Sequence, residues 1–168
     1  MDSIGYYNSF YFGGELNYGN ILSYLRYNEF DVIVEGKDIN EGFRKGKLGY
    51  HDTDVMPWYA EQLSGYEQPF FSTLFTLSTH SPYDYPRLFE EIEWPVIEKS
   101  YVNSGYYTDM AIKMFMDKAR QQDWYDSTLF VFVADHSHSS YKNHIMESFD
   151  HHKIPMLVYG EPLQDSLR

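Results

Sequence analysis

Short apolar runs with strand character alternate along the chain with segments in which apolar side chains recur at helical spacing. The strand-like runs predict five strands, at residues 6–12, 30–34, 70–77, 129–134 and 154–159. The helical spacing predicts three helices, over residues 20–28, 53–63 and 108–123. Such alternation is typical of an α/β protein, and we predict a three-layer α/β/α fold around a mostly parallel central sheet.

Two of the predicted strands are mainly apolar. The stretches FFSTLFTL, residues 70–77, and LFVFVA, residues 129–134, lack the polar alternation of a half-exposed strand. We therefore expect both to be central strands that are covered on both faces. Residues 81–95, rich in proline, acidic and aromatic side chains, predict a long irregular segment of the kind that lines sites.

Polar side chains follow each of these two strands. The first runs into Ser78-Thr79-His80-Ser81-Pro82-Tyr83, and the second runs into Asp135-His136-Ser137-His138. Ligands of open α/β sheets bind beyond the carboxyl ends of the strands. If the two strands are parallel, the two clusters lie at the same edge of the sheet and converge on one site.

Asp135 and His136 supply one carboxylate oxygen and one imidazole nitrogen, a donor mixture that suits Zn²⁺, Mn²⁺ or a similar divalent ion. The alternative is that Asp135 caps a turn and that His136 is a surface histidine. His80 could hydrogen-bond a phosphate or sulfate oxygen, or protonate a leaving group. Further histidines follow, and we expect most of them to be solvated: His138, His144, His151 and His152.

Composition narrows the classes of protein that remain. With 168 residues, the chain has the length of one domain. A formal charge of −12 repels nucleic-acid phosphates and anionic lipid surfaces, which excludes a non-specific nucleic-acid binder. The absence of cysteine excludes thiol ligands and thiol nucleophiles. The 17 Tyr and 12 Phe predict either a dense aromatic core or stacking platforms for a sugar.

Five segments occur in an order that resembles a known family. They are FYFGGELNYGNILSYLRYNEFDVIV, GYHDTDV, FFSTLFTLSTHSPYDYP, SGYYTDMAIKMFMDKARQQDWYDSTLFVFVADHSH and HHKIPMLVYG. Together they resemble the sulfatase-like catalytic domain of the lipoteichoic acid synthase family, within the alkaline phosphatase superfamily. The resemblance implies a mechanism in which a metal-activated threonine attacks a phosphoester and forms a phospho-enzyme intermediate.

The resemblance also implies roles for individual residues. Asp135 and His136 are similar to two ligands of the divalent metal, which would be Mn, Zn or Mg. His80 is similar to the histidine that contacts the substrate phosphate. Asn17 and Asn20 fall near the family's head-group contacts, and Glu15 beside them is a further candidate for substrate binding. His138 is a possible site residue only as a sequence neighbour of Asp135 and His136, without a family match.

The chain departs from the family pattern in several places. The strand that ends in an acidic metal ligand, and the helix that carries the nucleophilic threonine, have no match. Glu15 stands where the family often has Asp, and Ser137 stands where Gly usually follows Asp-His. We therefore expect residues 1–168 to form the C-terminal portion of a sulfatase-like catalytic domain, without the catalytic nucleophile and without the family's membrane helices. We expect an exposed sheet edge to promote self-association.

The expected function is that of a metal-dependent phosphotransferase, or of a phosphoester or sulfoester hydrolase. Its partner would be a phosphorylated or sulfated envelope lipid or glycan, and the catalytic domain would lie outside the cytoplasm at the cell membrane. One alternative is a non-catalytic remnant or binding module that retains half of the metal site. The other is an acidic, aromatic-rich carbohydrate-binding domain.

Overall fold

A computed structural model describes residues 4–39, 41–138 and 148–166 of the chain. The described strands are β1 (Tyr7–Phe12), β2 (Val32–Val34), β3 (Phe70–Phe75), β4 (Phe130–Val133) and β5 (Met156–Tyr159). The described helices are α1 (Ile21–Tyr27), α2 (Asp52–Gln62), α3 (Val96–Ala119) and α4 (Glu161–Ser166). Each segment predicted from the sequence contains an element of the predicted type.

The larger sheet is parallel and has the strand order β2-β1-β3. Its register places Ser9 of the central strand beside Val32 on one side and Ser72 on the other. Parallel neighbours require crossover connections, and α1 and α2 supply them between β1 and β2 and between β2 and β3. The carboxyl ends of β1, β2 and β3 therefore share one edge, as in any parallel sheet.

The second sheet differs from the prediction. Strand β4 pairs with β5 in antiparallel orientation, and the two form a separate sheet. Among the described strands, β3 and β4 each have one pairing partner, so neither is a central strand. One side chain of β3 and two of β4 are correspondingly exposed, with Phe71 at 40%, Val131 at 56% and Val133 at 57%. Apolar continuity identified the strands correctly but carried no information about which strands pair.

Helices cover both faces of the parallel sheet. Tyr11 of β1 packs on one face against α2 and α3, in a core that includes Tyr59, Phe115 and Phe130. Phe12, the next residue, points to the opposite face and packs with Leu16 and with Leu25 of α1. Adjacent strand residues alternate between faces, so these two contacts define the three layers.

Much of the aromatic content is used inside this core. The rings of Tyr59 and Phe115 stack with centroids 5.9 Å apart, and Phe130 meets Phe115 edge-on at the same distance. Trp124 is 2% exposed and approaches Phe70 edge-on. The dense aromatic core that the composition predicts is therefore present.

Helix α3 is longer than predicted, because it begins at Val96 instead of Thr108. The sequence of its first half, VIEKSYVNSGYY, contains β-branched residues, Asn, Ser and Gly, which have low helix propensity. Tertiary packing overrides that propensity, since Asn103, Ser104 and Tyr107 are all fully buried. None of the described helices is both long enough and apolar enough to cross a membrane.

Candidate functional site

A cavity of about 600 Å³ lies where the chain leaves β3 and β4. The segment after β3 contributes Thr79, His80, Ser81 and Tyr83, and the segment after β4 contributes Asp135, His136, Ser137 and His138. His151 and His152, which precede β5, complete the polar part of the wall. The two polar clusters therefore meet although their strands belong to different sheets.

Asp135 and His136 form the donor pair of this cavity. The His136 amide donates to Oδ1 of the Asp135 carboxylate at 2.9 Å, which fixes the position of the carboxylate. The other carboxylate oxygen, Oδ2, lies 3.6 Å from the imidazole Nε2. Two ligands of one tetrahedral ion, each bound at its usual length, are separated by about 3.4 Å. The pair therefore has the spacing of two ligands of a single ion.

The second nitrogen of the His136 ring is also arranged as in a metal ligand. Its Nδ1 lies 2.9 Å from the carbonyl oxygen of Ser137. Because a carbonyl only accepts, this contact requires the proton on Nδ1, and the neutral tautomer that makes it has its lone pair on Nε2, the ring nitrogen that lies 3.6 Å from Asp135 Oδ2. Metal-binding histidines commonly donate their other N–H to such an oxygen. Asp135 and His136 therefore fit a divalent ion, to which they would supply two of its ligands.

No group of three or more candidate ligand residues is assembled within residues 4–39, 41–138 and 148–166. His144 falls outside the described residues. His151 and His152 meet edge to face with ring centroids 5.4 Å apart at the same cavity, but they form no group of three ligands with the donor pair among the described residues.

His80 is presented by a tightly hydrogen-bonded turn. Its amide donates to the Leu77 carbonyl at 3.0 Å, and its Nδ1 donates to the Ser81 carbonyl at 2.6 Å. This leaves Nε2 of an exposed imidazole as its remaining polar atom. A protonated Nε2 can donate to a phosphoryl oxygen, whereas a neutral one can accept a proton.

Asp52, at the start of α2, holds the chain immediately before His80. Its buried carboxylate accepts the amide of Ser78 at 2.8 Å and the amide of Leu77 at 3.1 and 3.2 Å. Burial raises the pKa of Asp52, and the amide donors oppose that effect. On the far side of the turn, the Asp84 carboxylate accepts the amide of Lys47 at 2.8 Å. The His80 turn is thus tied to two other parts of the fold.

The His138 ring is held between two tyrosines. It stacks on Tyr101 of α3 with centroids 3.7 Å apart and planes inclined by 12°. Tyr83 meets the ring edge-on, and its hydroxyl lies 3.5 Å from Nδ1. His138 therefore joins the segment after β4 to the first half of α3, as well as lining the cavity.

Glu15, Asn17 and Asn20 lie in the connection between β1 and α1, and all three are exposed. The described cavity is lined by other residues. Glu35 fixes this connection, because its buried carboxylate accepts the amide of Leu16 at 2.8 Å and pairs with Lys37. The Lys37 ammonium and the Leu16 amide hold the pKa of Glu35 below its usual range. Substrate binding by the three exposed residues stays a prediction.

Sequence reasoning missed the residues that support the cavity. Asp52, Asp84 and Tyr101 act through partners distant in the sequence, so local patterns do not identify them. The one available signal was the segment GYHDTDV, which places a carboxylate at the first position of a helix.

The parallel three-layer fold, with polar groups gathered beyond the strand ends, defines an α/β domain of the kind that binds ligands at that edge. Residues 3–166 match the sequence profile of the family described as Sulfatase, so the chain belongs to the sulfatase family. The chain is also 29% identical, over 92 residues, to the lipoteichoic acid synthase-like protein YvgJ of Bacillus subtilis. That match covers 52% of this chain and 15% of the relative.

Solved structures confirm the fold. A protein of the alkaline phosphatase superfamily from Vibrio parahaemolyticus is 36% identical, with a TM-score of 0.80 over 95% of this chain and 40% of that one. The lipoteichoic acid synthase LtaP from Listeria monocytogenes is 20% identical, with a TM-score of 0.77 over 95% of this chain and 44% of that one. The chain thus has a lipoteichoic acid synthase-like fold of the alkaline phosphatase superfamily. It spans less than half the length of these relatives.

Proposed function

We propose that the chain is the C-terminal portion of a metal-dependent phosphotransferase or phosphoester hydrolase that acts on a cell-envelope lipid or glycan. Sulfoester hydrolysis would use the same groups. The reaction would take place outside the cytoplasm, at the membrane that carries the substrate. The observation that carries this proposal is the 3.6 Å approach of Asp135 Oδ2 and His136 Nε2 in the cavity that His80 also lines.

In this proposal, three residues have assigned roles. Asp135 and His136 would hold the divalent ion, which when bound would neutralise negative charge on the reacting phosphoester. His80 would orient the phosphoryl group by donating from Nε2, and its Nδ1–H bond to Ser81 would keep the ring from rotating. The nucleophile and any further ligands are assigned to none of the described residues.

Metal titration tests the donor pair directly. Titration with Mn²⁺, followed by calorimetry, should show weak binding, because two protein donors hold an ion less firmly than three or four. Asp135→Ala should abolish that binding. Asp126→Ala removes the same charge from an exposed turn and serves as the matched control. Equal binding by the wild type and Asp135→Ala would contradict the assignment.

Phosphate binding tests His80. Inorganic phosphate should shift the NMR signals of the His80 ring. The titration is done in buffer without Mn²⁺, so that phosphate binding is measured independently of metal binding. His80→Ala should weaken phosphate binding several-fold, since it removes a charge-assisted donor worth about 1.5–3 kcal/mol. A matched His152→Ala variant removes an imidazole from the same cavity wall. If His152→Ala lowered the phosphate affinity more than His80→Ala did, the phosphate contact would be assigned to His152 and not to His80.

A non-catalytic binding module is the second candidate, and the presence of only two assembled donors among the described residues favours it. Such a module would bind phosphate or a phosphorylated glycan without turnover. Mn²⁺ affinity tighter than two donors can supply, micromolar or better (on the order of −8 kcal/mol) and lost in Asp135→Ala, would mean that further ligands complete the site and would argue against such a module.

A further inference from the structure

Tyr83, three residues after His80, has a backbone conformation that its residue type rarely adopts. Its φ is +59°, in the left-handed region that disfavours any bulky side chain. Among the described residues other than glycine, Asn20 and Glu29 share this region. Asparagine tolerates it, and Glu29 follows the last turn of α1, where helices often end in this conformation. Neither explanation applies to Tyr83, so its surroundings impose the conformation.

Hydrogen bonds fix the chain on both sides of Tyr83. Its own amide donates to the His80 carbonyl at 2.9 Å, which closes the turn that begins at His80. The carboxylate of the next residue, Asp84, accepts the Lys47 amide at 2.8 Å. The backbone between these two anchors is therefore held, and it sets the direction of the Tyr83 side chain relative to the His80 turn.

The Tyr83 ring belongs to a cluster of three rings, the Tyr83 cluster, which consists of Tyr83, Tyr101 of α3 and His138. The Tyr83 ring meets Tyr101 edge-on at 6.0 Å and His138 edge-on at 6.3 Å. His138 and Tyr101 stack on each other with centroids 3.7 Å apart. The Tyr83 hydroxyl lies 3.5 Å from Nδ1 of His138, which is longer than a usual hydrogen bond. The ring of Tyr83, more than its hydroxyl, therefore makes the contact.

This ring contact joins the two halves of the candidate site. His80 follows β3 and the donor pair follows β4, and among the described strands these two belong to different sheets. A ladder of hydrogen bonds between β3 and β4, which would fix the distance between the segments that follow them, is therefore missing. Tyr83 lies on the first segment and His138 on the second, and both line the cavity. Their contact connects the segments directly.

We infer that Tyr83 is a positioning residue for the candidate site. Its strained backbone directs its ring onto His138, and this contact holds the His80 turn at a fixed distance from the donor pair. The inference rests on the proposed function, in which one phosphoryl group contacts both His80 and the ion held by the donor pair. It adds that the two contacts depend on each other through the Tyr83 ring.

The coupling between metal and phosphonate binding tests this role. Methylphosphonate, a phosphoester analogue without an ester bond to hydrolyse, is titrated by calorimetry with and without Mn²⁺. In the wild type, Mn²⁺ should raise the methylphosphonate affinity about fivefold or more, because one ligand then contacts both halves of the site. Tyr83→Ala should reduce this factor to about twofold or less, because the halves are no longer held together. Tyr83→Phe should restore the coupling, since it keeps the ring.

A matched control removes a tyrosine ring outside the Tyr83 cluster. Tyr106 lies on α3, is 43% exposed and packs against Phe89. Tyr106→Ala should keep the coupling factor of the wild type.

Tyr83→Gly separates positioning from stability. Glycine adopts a positive φ without strain, so Tyr83→Gly should unfold at a higher urea concentration than Tyr83→Ala. The coupling should be lost equally in both variants, because both lack the ring. If Tyr83 only stabilised the fold, the coupling would follow the urea midpoint and recover in Tyr83→Gly.

Two results would overturn the inference. One is the same coupling factor in the wild type and in Tyr83→Ala, and the other is a coupling factor that recovers in Tyr83→Gly together with stability. The wild type separates this test from that of the proposed function. A wild type that binds Mn²⁺ and methylphosphonate without coupling would refute the inference alone, whereas one that binds neither would refute the proposed function and the inference with it.

Discussion

His51 is a buried imidazole that lies next to the His80 turn. It is 8% exposed, and the Cβ that any larger residue would add at Gly46 would lie 2.6 Å from its Cε1 atom. Loss of hydration lowers the pKa of His51, and the Asp84 carboxylate opposes that change. The native structure therefore holds this ring in its neutral form over more of the acidic range than an unfolded chain would.

This shift predicts a specific loss of stability in acid. Because the pKa of His51 is lower in the folded state, the unfolded state takes up the proton first as the pH falls below about 6.5. The contribution of neutral His51 to the free energy of unfolding is fully present above that pH and is lost toward the folded-state pKa. Denaturant melts at pH 7.5 and 5.5 should show a smaller pH effect for His51→Gln than for the wild type.

His80→Gln is the matched control for this measurement, because His80 is exposed and lies on the adjoining turn. It should retain most of the pH effect of the wild type. An unchanged pH effect in His51→Gln would show that the ring is protonated equally well in both states.

Whether a site residue can be predicted from the sequence depends on how far away its partners lie. The sequence places Asp135, His136 and His80 shortly after the ends of two apolar strands, and the structure brings all three to one cavity. Asp52 was not predicted because it accepts backbone amides 25 and 26 residues away. Asn103 was not predicted because its side chain accepts a backbone amide 11 residues away.

At the scale of elements, α3 joins the two sheets into one core. Phe115, near its carboxyl end, is 6% exposed and stacks on Tyr59 of α2. The same ring meets Phe130 of β4 edge-on at 5.9 Å. One side chain therefore connects the helix layer over the parallel sheet with the smaller antiparallel sheet.

Truncation of this side chain should be costly. Phe115→Ala should reduce the free energy of unfolding by about 3–5 kcal/mol, because it opens a cavity between α2, α3 and β4. Met114→Ala, at a 41% exposed position on the same helix, should change it by about 0.5 kcal/mol or less. Urea titration followed by circular dichroism measures both. A similar effect of the two variants would mean that α3 does not bridge the sheets.

The types of the elements were predictable, whereas some of their lengths and pairings were not. Helical spacing identified the half of α3 that carries Ala111 and Phe115, because those residues form its apolar stripe. The first half forms through buried polar contacts such as those of Asn103, which the spacing of apolar residues does not report. In the same way, the register that joins β4 to β5 depends on contacts across the fold.

At the scale of the whole molecule, the two sheets leave open edges. Among the described strands, β3 pairs only with β1, and β4 pairs only with β5. Exposed apolar side chains accompany these edges, since Val131 and Val133 are 56% and 57% exposed and Met156 is 69% exposed. Unpaired strand edges with apolar side chains favour pairing with another chain.

The isolated chain should therefore self-associate, and salt should decide how strongly. The charge of −12 repels a second copy at low ionic strength, and this repulsion weakens as salt shortens the Debye length to about 8 Å at 0.15 M. Light scattering across a range of concentrations should show association that increases with salt. Val131→Lys places a charge at the edge of β4 and should reduce self-association. Tyr24→Lys adds the same charge at a 65% exposed position on α1, and its effect on self-association should be smaller. A monomer at all concentrations and salt levels would refute association through the strand edges. Equal changes in association with the two lysines would also refute it, because both variants change the net charge from −12 to −11 but only one alters a strand edge.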